Sequence, residues 1–228
     1  MNTLQHIPFS LGRPFRMMPF VAAFIVCGSA FSQDHFEGSI TYHVEYRSKD
    51  SSLMELSSAL PAVTVYTVKG KQSIFEQSLA GGGTQAMITN AESGNHTLVM
   101  VFMGKEYRVD LSDKELETVK SNAELPLVET AESKEILGYE CRLVWGITPG
   151  DSIKIYYAPE LTSEVNLPPF EGLKGLPLQY DIVSDGMNIR YTAVKVNNKT
   201  IEPEKFIADP DMKKIAFSEF AKSFAIMN

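Results

Sequence analysis

From Gly38 onward the chain keeps returning to alternation of apolar and polar residues, and a period of two commits it to β-strands with one buried face. Ile40, Tyr42, Val44 and Tyr46 share one face, with Thr41, His43 and Glu45 on the other. Val63, Val65 and Thr67 repeat the pattern, and Gly70-Lys71 turns the chain into Ile74-Phe75. Gly81-Gly82-Gly83 interrupts before a short run from Ala86 to Thr89. Leu98 to Met103 is apolar on both faces, which predicts a strand covered on both sides. Gly104-Lys105 then separates it from Tyr107, Val109 and Leu111, a hairpin partner. Tyr139, Cys141, Leu143, Trp145 and Ile147 form the longest stripe, and Pro149-Gly150-Asp151 turns it into Ile153, Ile155 and Tyr157. Leu176, Leu178, Tyr180 and Ile182 lead through Ser184-Asp185-Gly186 into Ile189, Tyr191 and Ala193. Val194 and Val196 then change face, as a bulge requires.

Helical signals are few. Leu53, Leu56 and Leu60 recur at three and four within Ser51–Leu60, with Ser51 or Ser52 as the cap and Pro61 as the stop. Ser112-Asp113-Lys114-Glu115 has the spacing of a capping box, opening a helix to about Lys120. Phe217, Phe220 and Phe224 predict an amphipathic helix over Phe217–Ile226. Ala123–Lys134 is the most acidic connection and reads as a loop. The expected architecture is mainly β, about nine or ten antiparallel strands with three short helices.

The first 32 residues follow other rules. Arg13 and Arg16 precede an apolar run from Met17 to Ala30, and no acidic residue stands before Asp34. Such a run is shorter than the roughly 20 residues of a membrane-spanning helix. Ala30 and Ser32 stand at −3 and −1 of a signal-peptidase site, so residues 1–32 read as a signal peptide and 33–228 as one exported domain, periplasmic or secreted. Cys27 offers a lipoprotein alternative, but Val26 and Phe24 stand where that processing wants a small residue and Leu. Met17 or Met18 as the true start would shorten the cationic part and keep the rest.

The net charge of −7 becomes −9 once Arg13 and Arg16 are gone, with 19 Lys and Arg against 28 Asp and Glu. That balance argues against nucleic acid and anionic membrane surfaces, both of which attract basic patches. No cofactor or metal is indicated: His35, His43 and His96 have no ligand spacing. Gly81–Gly83 lacks the Lys and Ser/Thr of a phosphate loop, and no nucleophile elbow is present, so the reading is non-catalytic. Cys141, on an apolar stripe, reads as a buried small hydrophobe rather than a reactive thiol.

Five segments, in order, carry a family likeness. Phe36-Glu37-Gly38-Ser39-Ile40 opens the domain, Ile136-Leu137-Gly138-Tyr139-Glu140-Cys141 follows, then Tyr156-Tyr157-Ala158-Pro159-Glu160-Leu161. Gly172-Leu173-Lys174-Gly175-Leu176-Pro177-Leu178 and Phe206-Ile207-Ala208-Asp209 complete the set. Together they resemble an exported GLPGLI-type family of Bacteroidota, a domain of unknown function similar to the lipoprotein-carrier (LolA/LolB-like) superfamily. The resemblance implies a curved antiparallel half-barrel wrapped around short helices, with an apolar hollow. Part of that hollow is expected to be filled by the Leu53–Leu60 helix. What remains is either a pocket for a lipid or lipidated protein, or a filled core in an envelope interaction protein. Tyr42, Val44, Leu143, Trp145, Ile155 and Tyr180, each on the apolar stripe of its strand, are the candidate lining.

Processing is directly testable. N-terminal sequencing of the exported protein is expected to start at Gln33 without lipid; an acylated Cys27 would make it a tethered lipoprotein instead.

Overall fold

The computed structural model describes residues 35–79, 81–119, 125–148, 151–167, 169–170, 172–184 and 186–224. The expected signal segment, with Cys27, Ala30 and Ser32, lies outside them, as do Pro149-Gly150, Asp185 and the end of the C-terminal helix at Ile226. All described residues belong to the compact unit Gln33–Asn228.

Among the described residues eleven strands form, most of them along the alternation. They are β1 (Gly38–Arg47), β2 (Val63–Lys69), β3 (Gln72–Leu79), β4 (Gly83–Asn90), β5 (Asn95–Phe102), β6 (Lys105–Leu111), β7 (Leu127–Ile136), β8 (Tyr139–Thr148), β9 (Asp151–Ala158), β10 (Leu176–Ser184) and β11 (Met187–Asn198). A two-residue β12 (Lys213–Lys214) adds a twelfth, so the sheet is wider than the nine or ten strands expected. They form one sheet in the order β12-β6-β5-β4-β3-β2-β1-β11-β10-β9-β8-β7. Two meanders are thus joined where β1 pairs with β11, and the sheet is curved, unclosed and antiparallel except for β12 on β6. This is the mainly β class the alternation predicts.

Local chemistry fixes the register. Met103-Gly104 and Leu137-Gly138 are two-residue hairpin turns with positive φ at both positions (50° and 71°, 54° and 84°), the twist that suits flanking strands. Thr41 opposes Lys195 while Tyr42 opposes Ala193, so Val194 is the extra residue of the bulge the sequence predicts. Helix α2 (Asp113–Val119) opens on the expected capping box: the Ser112 backbone N–H donates to Glu115 Oε2 at 2.9 Å, and the Glu115 N–H to Ser112 Oγ at 3.4 Å. Helix α3 (Phe217–Phe224) packs Phe217 and Phe220 with Leu98, Val109 and Ile215 beside β6.

Four expectations need correction. Leu127–Ile136, which takes up most of the supposed loop Ala123–Lys134, is the edge strand β7; its charges read as a loop because an edge strand exposes polar groups to water and is protected from further pairing by them. A register shift between Glu129 and Ser133 also breaks its period. In β2 the stripe turned to the hollow is Thr64, Tyr66 and Val68; of Val63, Val65 and Thr67, on the opposite face, only Thr67 is buried. With β-branched or aromatic residues at six consecutive positions, only pairing of Tyr42 with Thr64 and of Ile40 with Tyr66 decides the face. The third concerns the cap of helix α1. The helix is α over Ser51–Leu56 and continues as a 3-10 turn over Ser57–Ala59, close to the expected span. Asp50 rather than Ser51 or Ser52 caps it, its carboxylate accepting from the Ser52 N–H at 2.9 Å.

The last is that α1 does not fill the hollow. Ser48 Oγ donates to Gly186 O at 3.0 Å, and Leu53 lies against Gly186, so the helix sits at the β10–β11 turn. The filling comes instead from the irregular segment joining β9 to β10, whose Leu161, Leu167, Phe170 and Leu173 are all buried. Phe170 stands edge-on to Tyr180, ring centroids 4.9 Å apart. Replacing Phe170 by Ala is expected to cost about 3–5 kcal/mol in denaturant unfolding, the range for a fully buried aromatic; a loss below about 1 kcal/mol would show that the segment is not core.

Candidate functional site

Residues directly opposed across a ladder share a face, which sorts the six sequence candidates. Tyr180 opposes both Ile155 and Tyr191, and Tyr191 opposes Val44. Tyr42 lies two residues from Val44 on the same side and packs edge-on against Tyr180 at 5.6 Å. These four meet in the hollow. Leu143 and Trp145 do not: they oppose Tyr156 and Lys154, on the outer face, where the Lys154 ammonium lies 5.1 Å from the centre of the Trp145 ring. The stripe of β8 that does face inward carries Val144, opposite Ile155. Both stripes of β8 hold apolar residues, so its own period could not show which one turns inward.

The hollow has two parts. Beneath the β9–β10 segment it is solid: Tyr42, Val44 and Ile155 are buried, Tyr180 and Tyr191 stack at 4.6 Å, and Tyr42 donates its hydroxyl to Pro177 O at 2.7 Å. Beside that segment lies a cleft of about 590 Å³. Tyr66, Phe75, Met87 and Leu98 from β2 to β5 form one wall, and Tyr180, Ile182 and Tyr191 the other. Glu164–Leu167 of the β9–β10 segment closes a side, and Leu116 of α2 reaches in. Gln77, Gln85, Thr89 and His96 add polar groups, with His96 Nδ1 3.1 Å from Thr89 Oγ1. Of the sequence candidates Tyr180 alone touches this space; Tyr66, Met87, Leu98 and Leu167 were missed.

The wall Glu164–Leu167 is held by hydrogen bonds to itself and the sheet. Ser163 Oγ donates to Val165 O at 2.6 Å, and Tyr66 donates its hydroxyl to the same carbonyl at 3.1 Å. Asn166 donates through Nδ2 to Leu173 O and Gly175 O, at 3.3 and 3.2 Å. Gly175 has no substitute, because a Cβ there would lie 2.1 Å from Ala158 O. Electrostatically the cleft is neutral to acidic. Burial pushes the Tyr180 phenol well above its ordinary range and that of Tyr191 up to about 12, so both remain protonated donors. Glu164 contributes a carboxylate, and no Lys or Arg lines the space among the described residues.

The outer face carries a polar network. Arg190 grips Asp181 through two bonds of 2.7 and 2.9 Å, Lys134 lies 3.8 Å over the Tyr156 ring and bonds Gln179, and the Tyr156 hydroxyl donates to Glu132 at 2.7 Å. With each group partnered, the network is structural. Among the described residues no group of three His, Cys, Asp or Glu is placed to hold a metal ion, and no helix is long and apolar enough to cross a membrane.

No family model matches the chain, and no curated protein does. The likeness to the exported family therefore rests on the five segments. Among solved structures, PNGF-II in its C2 crystal form superposes with a TM-score of 0.50 at 11% identity, over 81% of this chain and 32% of that one. This chain thus spans about a third of PNGF-II, and the likeness is one of fold. LprF from Mycobacterium bovis covers 73% of this chain and 89% of its own at 12% identity, with a TM-score of 0.34. A putative outer membrane lipoprotein-sorting protein domain from Vibrio parahaemolyticus covers 76% and 91% at 9% identity, with a TM-score of 0.22. At these last two scores the superposition does not establish a common fold.

Cys141 is buried, donates its thiol to Tyr139 O at 3.6 Å, and is pushed up to about 11 by burial. Only the thiolate is nucleophilic, so at pH 8 about a thousandth of the thiol is reactive, rising roughly tenfold per pH unit up to about pH 11. Native labelling is expected to be slow and to become fast on unfolding; rapid native labelling at pH 8 would contradict the burial.

Proposed function

We propose that residues 33–228 are an exported, non-catalytic domain that binds an apolar or amphiphilic molecule, such as a lipid or the lipid of a lipoprotein, in the cleft between β2–β5 and the β9–β10 segment. The observation that carries this reading is the cleft itself. The hollow is plugged on one side and left open on the other, at about 590 Å³, inside the size range of small-molecule sites. Its walls are largely aromatic and aliphatic. Each methylene buried there contributes about 0.8 kcal/mol, so a ten-carbon chain supplies about 8 kcal/mol against an association cost of about 4–15. The signal-like N-terminus and the five family-like segments support export and the carrier-like shape, while fold likeness by itself transfers no function.

The test is a neutral apolar dye, N-phenyl-1-naphthylamine, with mass spectrometry of organic extracts of the purified protein. Saturable fluorescence enhancement, a rise in melting temperature on binding and a tenfold or greater loss in Met87→Asp are expected. Trp145 fluorescence should change little, because that ring is on the outer face. No saturable binding, no thermal shift and no co-purified lipid would favour an interaction protein with a filled core.

A further inference from the structure

Four tyrosines converge on the hollow, and they divide into two pairs. Tyr42 and Tyr66 spend their hydroxyls on Pro177 O and Val165 O. Tyr180 and Tyr191 stack face to face at 4.6 Å and 10°, and among the described residues neither hydroxyl has an acceptor. Tyr180 is 2% exposed and yet its hydroxyl is not sealed from solvent-accessible space; both residues line the cleft. A phenol hydroxyl that bonds no protein group and opens onto a cleft is free to donate to a molecule held there. Two nearly parallel rings bring two phenol donors to the wall of a cleft whose other polar groups include Gln77, Gln85, Thr89 and His96. Donors of that kind call for an acceptor oxygen.

The charge of that acceptor follows from its surroundings. No Lys or Arg among the described residues lines the cleft, His96 on its wall is engaged with Thr89 at 3.1 Å, and Glu164 also lines the cleft. A carboxylate there would be desolvated and repelled without a cation to offset it. A neutral carbonyl meets neither cost.

Building on the cleft as a site for apolar matter, we infer that it recognises the neutral ester or amide carbonyl at the head of an acyl chain, received by the hydroxyls of Tyr180 and Tyr191. The chain then runs along Phe75, Met87 and Leu98. The carbonyl enters first, and a free fatty acid is discriminated against.

The experiment is competition against N-phenyl-1-naphthylamine, which carries no carbonyl, using methyl decanoate, N-methyldecanamide and decanoate on the purified protein. In wild type the ester or the amide should displace the dye at least fivefold better than decanoate, and the tighter of the two identifies the linkage. In Tyr180→Phe/Tyr191→Phe the affinity for that carbonyl ligand should fall at least tenfold, with the dye's affinity within twofold of wild type. Removing partnerless hydroxyls should not lower the melting temperature; if the double variant is unfolded, Tyr191→Phe alone should show a smaller loss of the same sign. Tyr42→Phe, which gives up its bond to Pro177, should lower the melting temperature and leave the ligand preference unchanged. A carbonyl ligand weakened no more than the dye, or decanoate bound more tightly than ester and amide, would overturn the inference while leaving the apolar site intact. A dye that does not bind wild type would overturn the underlying reading itself.

Discussion

The seating of Phe170 on Tyr180 decides what kind of hollow this sheet encloses. Tyr180 touches Phe170 edge-on at 4.9 Å, stacks on Tyr191 at 4.6 Å and meets Tyr42 edge-on at 5.6 Å. Aromatic pairs in such geometries contribute about 0.5–1.5 kcal/mol each beyond burial. The Phe170 pair draws the β9–β10 segment into the concave face, where it supplies the core that short helices do not. The same segment then lends Glu164–Leu167 as a wall, so the plug and the cleft share one cause.

The opposite face of the sheet is stabilised differently. After β11 the chain crosses the outer side of β3 and β4, burying Ile201 and Phe206 against Ile74. Glu37 anchors this crossing: its carboxylate accepts from the Ile201 N–H at 2.7 Å and faces Lys69 at 3.0 Å, while Lys69 also donates to Ile201 O at 2.6 Å. The Ile201 bond, then Lys69, hold the Glu37 carboxyl below its ordinary value. A strap on the outside and a plug on the inside leave the open space between β2–β5 and β10–β11.

Much of this was legible in the residues. Alternation gave the strand count to within two or three and the bulge at Val194, and Ser112 with Glu115 placed a helix start. What failed were elements whose faces are set by neighbours. β7 has too little apolar content to be seen alone, and β2 and β8 carry apolar residues on both sides, so that Leu143 and Trp145 were assigned to the wrong face and Tyr66 and Val144 were missed. The plug was hidden because it has no period at all; its signature is the Gly172–Leu178 segment, where Gly175 must pass within a Cβ's reach of Ala158 O. The cleft residues Met87 and Leu98 lie on predicted strands, but the sequence gives no sign of where the filling stops.

The division of the hollow into core and cleft is tested most directly by nuclear Overhauser contacts between a ¹³C-labelled acyl ester and the protein's methyl groups. Contacts to Met87, Leu98, Leu167 and Ile182, with none to Val44, Val144 or Ile155, are the result this account predicts. Contacts to Val44 and Ile155 would mean that the Phe170 plug gives way to ligand, and contacts confined to outer-face methyls such as Leu143 or Val128 would mean that the cleft is not the site.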